Sequence, residues 1–99
     1  MKIPKKIKIG ALTYDVLRCD EVIVNNEEVA GSVSPSLQQI KIQKDLGEDF
    51  KNLVLIHEIV HAIAHHAGRG DLYEDESVIE CFANGFAQVM VDNKGIFSN

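Results

Sequence analysis

The first half of the chain alternates between apolar and polar side chains with a period of two. Leu12, Tyr14 and Val16 share one face of a segment, and Ile40 and Ile42 share one face of a later one. This period, with many β-branched residues, predicts strands. One apolar and one polar face suit an antiparallel sheet of three or four strands packed on helices. The predicted strand segments are 3–9, 12–19, 22–24, 29–33 and 38–43, of which 22–24 is a short apolar run.

The second half has the three- and four-residue spacing of amphipathic helices. In the first predicted helix, Asp45 is a candidate N-cap and Glu48 completes a capping box, while Gly68 and Gly70 end the helix. Its apolar stripe is Phe50, Leu53, Val54, His57, Val60, His61 and Ala64. The second helix runs from about Glu74 to Asp92. Its predicted packing positions are Val78, Ile79, Phe82, Phe86, Val89 and Met90.

Together these patterns predict one α+β domain over residues 1–99. Residues 1–44 are mainly β, and residues 45–93 form two helices. A chain of this length makes one domain with a modest core. Asn25 and the residues after it, through Glu28, mark a turn between strands.

Charge and composition narrow the classes of partner and compartment. The net charge of −5 argues against a nucleic-acid partner, which usually requires a basic surface. The longest apolar-rich stretch, 53–67, contains four histidines and a glutamate, so no membrane span is expected. Cys19 and Cys81 show no metal-ligand or disulfide spacing, and no signal peptide is expected at the start. We therefore expect a cytoplasmic protein with two free thiols.

The first predicted helix carries an H-E-x-x-H motif, formed by His57, Glu58 and His61. Residues four apart lie on one helix face, so the two imidazoles can bind one metal ion. Burying two histidines and a glutamate on an apolar helix is costly without a partner, and a metal provides one. The motif predicts a Zn²⁺ site in which Glu58 acts as general base and acid toward a zinc-bound water.

A catalytic zinc site needs a third protein ligand. The residue six positions after His61 is Ala67, which excludes the three-histidine pattern of metzincins. A carboxylate on the second helix is the remaining source, either Glu80 or Glu76. Glu80 lies in the apolar part of that helix, and a buried carboxylate needs a cation. We therefore expect Glu80 to be the ligand, with Glu76 as the alternative.

Peptide hydrolysis also requires a donor to the oxygen that becomes negatively charged. His65, His66 and Tyr73 are candidates. His65 continues the histidine series by one turn but drifts around the helix, which favours a supporting role. The sequence leaves the choice among the three open.

The motif and the residues that follow it resemble the ImmA/IrrE-type metallopeptidases, which are gluzincin-like zincins of phages and prophages. The shared features are H-E-x-x-H and a later E-x-x-A-N-x-F-A, which here begins at Glu80 and includes Asn84 and Phe86. The resemblance implies a minimal zincin fold, with His57, His61 and Glu80 as zinc ligands and Glu58 as general base and acid. It also implies that Asn84 and Phe86 support the site.

Small phage members of that family have a strand pair before the active-site helix, similar to residues 31–43. In zincins an edge strand of the sheet binds extended peptide by adding a strand. We expect Lys41 and its neighbours to form that edge. The predicted function is a zinc metallopeptidase, with an endopeptidase favoured, acting on a protein or peptide substrate. The alternative is a non-catalytic zinc-binding interaction module on the same fold.

Overall fold

The computed structural model describes residues 2–96. Met1 and residues 97–99, which the predicted domain includes, lie outside the described residues. Six strands precede three helices. The strands are β1 (Lys6–Ile9), β2 (Leu12–Cys19), β3 (Val22–Val24), β4 (Glu27–Val29), β5 (Gly31–Ser34) and β6 (Gln39–Gln43). The helices are α1 (Glu48–His66), α2 (Gly70–Tyr73) and α3 (Glu76–Asp92). The α+β class is confirmed.

The main sheet has four strands in the order β1-β2-β6-β5, and it is mixed rather than antiparallel. β1 pairs with β2 and β5 pairs with β6 in antiparallel fashion, but β2 and β6 are parallel. The prediction of a purely antiparallel sheet is therefore wrong. Between β2 and β6 the chain passes through β3, β4 and β5, which bring it back to the end of the sheet at which β2 begins. β6 therefore runs parallel to β2.

β3 and β4 form a separate two-stranded hairpin. Its turn residues, Asn25 and Asn26, have φ angles of 52° and 65°, the left-handed region that two-residue hairpin turns require and that asparagine tolerates. The predicted turn through Glu28 was too long, because Glu28 lies within β4. The predicted strand 29–33 is divided at Ala30, where the chain leaves the hairpin and enters the main sheet.

The hydrophobic core lies between the main sheet and α1. Ile40 and Ile42 of the interior strand β6 are fully buried, as the alternation predicted. The buried core residues are Ile9, Tyr14, Val16, Ile40, Ile42, Val54, Leu55 and Ala62. Because α1 lies against the sheet on one side and against α2 and α3 on another, it is the central element of the domain.

The ends of α1 differ in detail from the prediction. The helix begins at Glu48 after Gly47, so Asp45 is not its N-cap. At the other end, Gly68 has a φ of +74°, as expected for a residue that terminates a helix. Phe50, predicted to be in the apolar stripe, is half exposed because its side chain lies at a cleft rather than in the core.

α3 begins at Glu76, two residues later than predicted, and the short helix α2 was not predicted. The Asp75 carboxylate caps α3 by accepting a hydrogen bond from the Val78 backbone N–H. Only Ile79 and Ala83 of α3 are buried, because the helix contacts its neighbours along one narrow stripe. Four of the six predicted packing residues are therefore exposed, namely Phe82, Phe86, Val89 and Met90.

Two further expectations concern the thiols and membranes. Cys19 and Cys81 are both free, as expected, and Cys81 is exposed. Within residues 2–96, no helix is both long enough and apolar enough to cross a bilayer.

Candidate metal centre

Two histidines on successive turns of α1 face one carboxylate on α3. The Nε2 atom of His57 lies 3.1 Å from one oxygen of Glu76, and the Nε2 atom of His61 lies 3.0 Å from the other. The three candidate ligand atoms all lie within 4.8 Å of one another. The four-residue spacing on α1 supplies two of them, and the docking of the first turn of α3 supplies the third.

The backbone of Tyr73 fixes the orientation and tautomer of His61. The Nδ1 atom of His61 lies 2.7 Å from the Tyr73 carbonyl oxygen. Because a carbonyl oxygen only accepts hydrogen bonds, Nδ1 carries the proton and donates it. In neutral His61 the Nε2 atom therefore presents a lone pair. A backbone carbonyl behind a histidine is a common arrangement at metal sites.

With this tautomer, the group of atoms that faces Glu76 can be examined for its fit to a cation. With Nε2 unprotonated, a lone pair of His61 faces a carboxylate oxygen of Glu76 at 3.0 Å. Two acceptors at this distance repel each other unless a proton or a metal ion lies between them. Ligand atoms about 2.0–2.2 Å from a tetrahedral zinc ion are roughly 3.3–3.6 Å apart, near the 3.1 Å and 3.0 Å that separate the two histidine nitrogens from their Glu76 oxygens. The donor set of two imidazoles and a carboxylate fits zinc.

Glu58 lies next to this cluster on the inner side of α1. It is 7% exposed, and within residues 2–96 no hydrogen bond or ion pair to its carboxylate is found. Burial, and secondarily the negative charge of Glu76, raise the pKa of Glu58 to about 8. A carboxyl group with its pKa near neutrality can exchange a proton with a reacting group at physiological pH.

The four residues border an open cleft of about 610 Å³. β5 and the β3–β4 hairpin form one wall, and α1, α2 and α3 form the other. The apolar lining includes Val24, Val29, Val33, Phe50 and Leu53, and the acidic lining includes Glu74 and Glu80. The volume is within the range of sites that bind small molecules or short peptide segments.

β5 is the strand of the main sheet that borders the cleft. It lies at the edge of the sheet and pairs with β6 alone. Lys41 was predicted to lie in the edge strand, but it belongs to β6, which is paired on both sides. The prediction of an edge at Lys41 is wrong because the parallel pairing with β2 covers the second side of β6.

Glu80, the predicted third ligand, lines the cleft one turn beyond Glu76 but is exposed. Glu80 was predicted to be the ligand because it was expected to be buried, and that expectation is wrong. Glu76 is brought to the histidines instead, since α2 and the capped start of α3 place the first turn of α3 over α1. Asp75, the N-cap of α3, was the local signal that marked this turn. Asp75 could not be singled out as the N-cap because other acidic residues lie on both sides of it.

Tyr73 lies between the candidate metal ligands, which are His57, His61 and Glu76, and the edge strand β5. Its ring meets the His61 ring edge-on at 5.3 Å, and its hydroxyl donates to the Val33 carbonyl oxygen at 3.4 Å. Burial, followed by the charge of Glu58, raises the pKa of Tyr73, so its hydroxyl keeps its proton. His65 is exposed and meets the Tyr73 ring in a T-shaped arrangement at 5.9 Å between ring centroids. The cleft lining includes Tyr73 but neither His65 nor His66.

Comparison of the chain with models of known protein families, with curated proteins and with solved structures finds no match in any of the three. The case for a function therefore rests on the residues and geometry described above.

Proposed function

We propose that this chain is a zinc-dependent peptidase that hydrolyses peptide bonds of a protein or peptide substrate. His57, His61 and Glu76 would hold the metal, and Glu58 would act as general base and acid. Glu76 takes the place of Glu80, which the resemblance to ImmA/IrrE-type peptidases favoured. That resemblance, through H-E-x-x-H on α1, suggests a zincin and a phage or prophage setting.

One observation carries the proposal. The Nε2 atom of His61 and a carboxylate oxygen of Glu76 are 3.0 Å apart, with His57 completing the group and an open cleft beside it. A structural zinc site is usually closed by four protein ligands, whereas a catalytic site has three and an open position. The three-residue cluster beside a cleft supports the catalytic type.

The chain's own residues have distinct roles in the proposed reaction. When bound, zinc acidifies a water molecule and polarises the carbonyl group of the peptide bond. Glu58 accepts a proton from the attacking water and passes it to the nitrogen of the leaving amine. The backbone of β5, at the edge of the sheet, pairs with an extended substrate and holds it along the cleft.

The test uses the full chain, stripped of metal and titrated with zinc in competition with a chromogenic chelator. We expect one tightly bound zinc per chain and hydrolysis of an unstructured protein such as casein. Glu58→Gln should retain zinc and lower kcat by about 10²–10⁴-fold. Glu76→Gln should weaken zinc binding by more than about 100-fold, because even a second-shell partner is typically worth 10–100-fold.

Glu80→Gln is the matched control, since it makes the same chemical change one helical turn away in the same cleft. It should bind zinc nearly as tightly as the wild type. If Glu80→Gln lost zinc and Glu76→Gln kept it, the third ligand would be Glu80. Tight zinc binding without hydrolysis of any unstructured substrate would refute the peptidase and favour the non-catalytic zinc module.

A further inference from the structure

Tyr73 connects the two parts of the cleft that a peptide substrate would meet. Its carbonyl oxygen accepts the His61 Nδ1 proton, and its hydroxyl donates to Val33 on β5. The side chain is half-buried, with one ring edge toward His61. A single residue thus contacts both the metal cluster and the edge strand.

The acceptor of the Tyr73 hydroxyl belongs to the unpaired side of β5. The Ala30 carbonyl accepts from the Gln43 backbone N–H, so the backbone of Ala30 faces β6. Because successive residues of a strand face opposite sides, the backbone groups of Gly31 and Val33 face away from β6, toward the cleft. The Val33 carbonyl is therefore one of the groups that an added peptide strand would use.

The bond between Tyr73 and Val33 is weak. Its length of 3.4 Å is well beyond the usual 2.7–2.8 Å for a hydroxyl donating to oxygen. An N–H of a substrate strand would be a better donor to the Val33 carbonyl at ladder distance. The tyrosine hydroxyl would then be free to donate elsewhere in the cleft.

We propose that Tyr73 is a catalytic residue whose hydroxyl passes from the Val33 carbonyl to the carbonyl oxygen of the scissile peptide bond when substrate pairs with β5. This inference rests on the proposed peptidase function. In the reaction, the water oxygen bonds to the carbonyl carbon and the carbon–nitrogen bond breaks. Glu58 carries the water proton to the amine nitrogen. Tyr73 keeps its proton and stabilises the negative charge that develops on the carbonyl oxygen.

The two other candidate donors are less well placed. His65 meets the Tyr73 ring in a T-shaped arrangement, with 5.9 Å between ring centroids, and is exposed. His66 packs against Gly10 in the β1–β2 turn, where a Cβ at Gly10 would clash with the His66 ring. Neither histidine lines the cleft, whereas Tyr73 does.

The experiment compares zinc-loaded wild type, Tyr73→Phe and His65→Ala by steady-state hydrolysis of a peptide cut by the wild type. Tyr73→Phe removes only the hydroxyl and leaves the ring and the backbone acceptor of His61 in place. We expect kcat to fall by about 100-fold or more, as for loss of one oxyanion donor. KM should stay the same or fall, because Val33 no longer has a competing donor. His65→Ala should remain within about 3-fold of the wild type.

A second readout does not depend on turnover. The affinity of a peptide hydroxamate, whose oxygens stand in for those of the reacting carbonyl, should be about 10-fold or more weaker in Tyr73→Phe, because the variant loses a hydrogen bond to a charged oxygen. Zinc affinity should be unchanged.

Three results would overturn the role of Tyr73: an unchanged kcat, an effect confined to KM, or a parallel loss of zinc. If the zinc-loaded wild type cuts no peptide, the peptidase proposal fails. In that case the hydroxamate comparison still tests whether the Tyr73 hydroxyl donates to an oxygen bound at the site, and equal affinities or no binding would refute that donation.

Discussion

Glu58 should reduce the stability of the metal-free protein at neutral pH, and replacing it with glutamine should increase that stability. The carboxyl group is 7% exposed, and burial together with Glu76 raises its pKa from 4.5 to about 8. A raised pKa means that the folded state prefers the protonated form. The contribution of protonated Glu58 to the free energy of unfolding is therefore fully present below pH 4.5 and is lost as the pH rises through about 8.

The magnitude follows from the size of the pKa shift. One pKa unit corresponds to 1.36 kcal/mol, so the shift from 4.5 to about 8 lowers the free energy of unfolding by about 4 kcal/mol at pH 7.5 and by about 5 kcal/mol above pH 9, relative to its value below pH 4.5. Glutamine has similar shape and no charge, so Glu58→Gln avoids this loss. With a slope of about 1–2 kcal/mol per molar urea, the difference at pH 7.5 is about 2–4 M in the unfolding midpoint.

The assay is urea unfolding of wild type and Glu58→Gln in EDTA, followed by circular dichroism from pH 5 to pH 9. The histidines are common to both proteins, so the difference between the two curves reports mainly on Glu58. Glu80→Gln is the control, since Glu80 is exposed and its replacement should change stability by less than about 0.5 kcal/mol. Parallel pH profiles for wild type and Glu58→Gln would refute the reasoning.

Three further predictions concern two glycines and one helix cap, and each is checked by urea unfolding. Gly31→Ala should destabilise by about 1–3 kcal/mol, because its Cβ would lie 2.5 Å from Val54 Cγ1; a Val54→Ala background should recover part of that loss. Gly10→Ala should cost about 1–3 kcal/mol, since Gly10 has a φ of +60° and its Cβ would meet the His66 ring; full rescue by His66→Ala would contradict a backbone contribution. Asp75→Ala should cost about 1 kcal/mol through loss of the α3 cap, and an unchanged midpoint would count against that cap.

The parts of the site that depend on local geometry were predictable from the sequence. Two histidines four residues apart must share a helix face, and the structure places His57 and His61 side by side. Ile40 and Ile42 alternate with polar neighbours, and both are buried as expected. In each case the information lies within a few residues of the chain.

The parts that depend on how distant elements dock were not predictable. Glu76 and Glu80 both lie on α3, and the choice between them depends on how α2 turns the chain before α3 begins. The parallel pairing of β2 with β6 depends on the path of the three strands between them. The exposure of Phe82 and Phe86 depends on how narrow the contact of α3 is. Period and spacing contain no information about these choices.

The dependence of the His57, His61 and Glu76 cluster on α2 has a consequence for how fast metal would exchange at the proposed site. This helix has four residues, none of them buried, yet its last residue holds His61 and leads into the turn that carries Glu76. Such short segments open locally at a small fraction of the free energy of global unfolding. Opening of α2 would separate Glu76 from the histidines while the sheet and α1 stay folded. Metal should therefore enter and leave through this local opening, at rates insensitive to substitutions in the core.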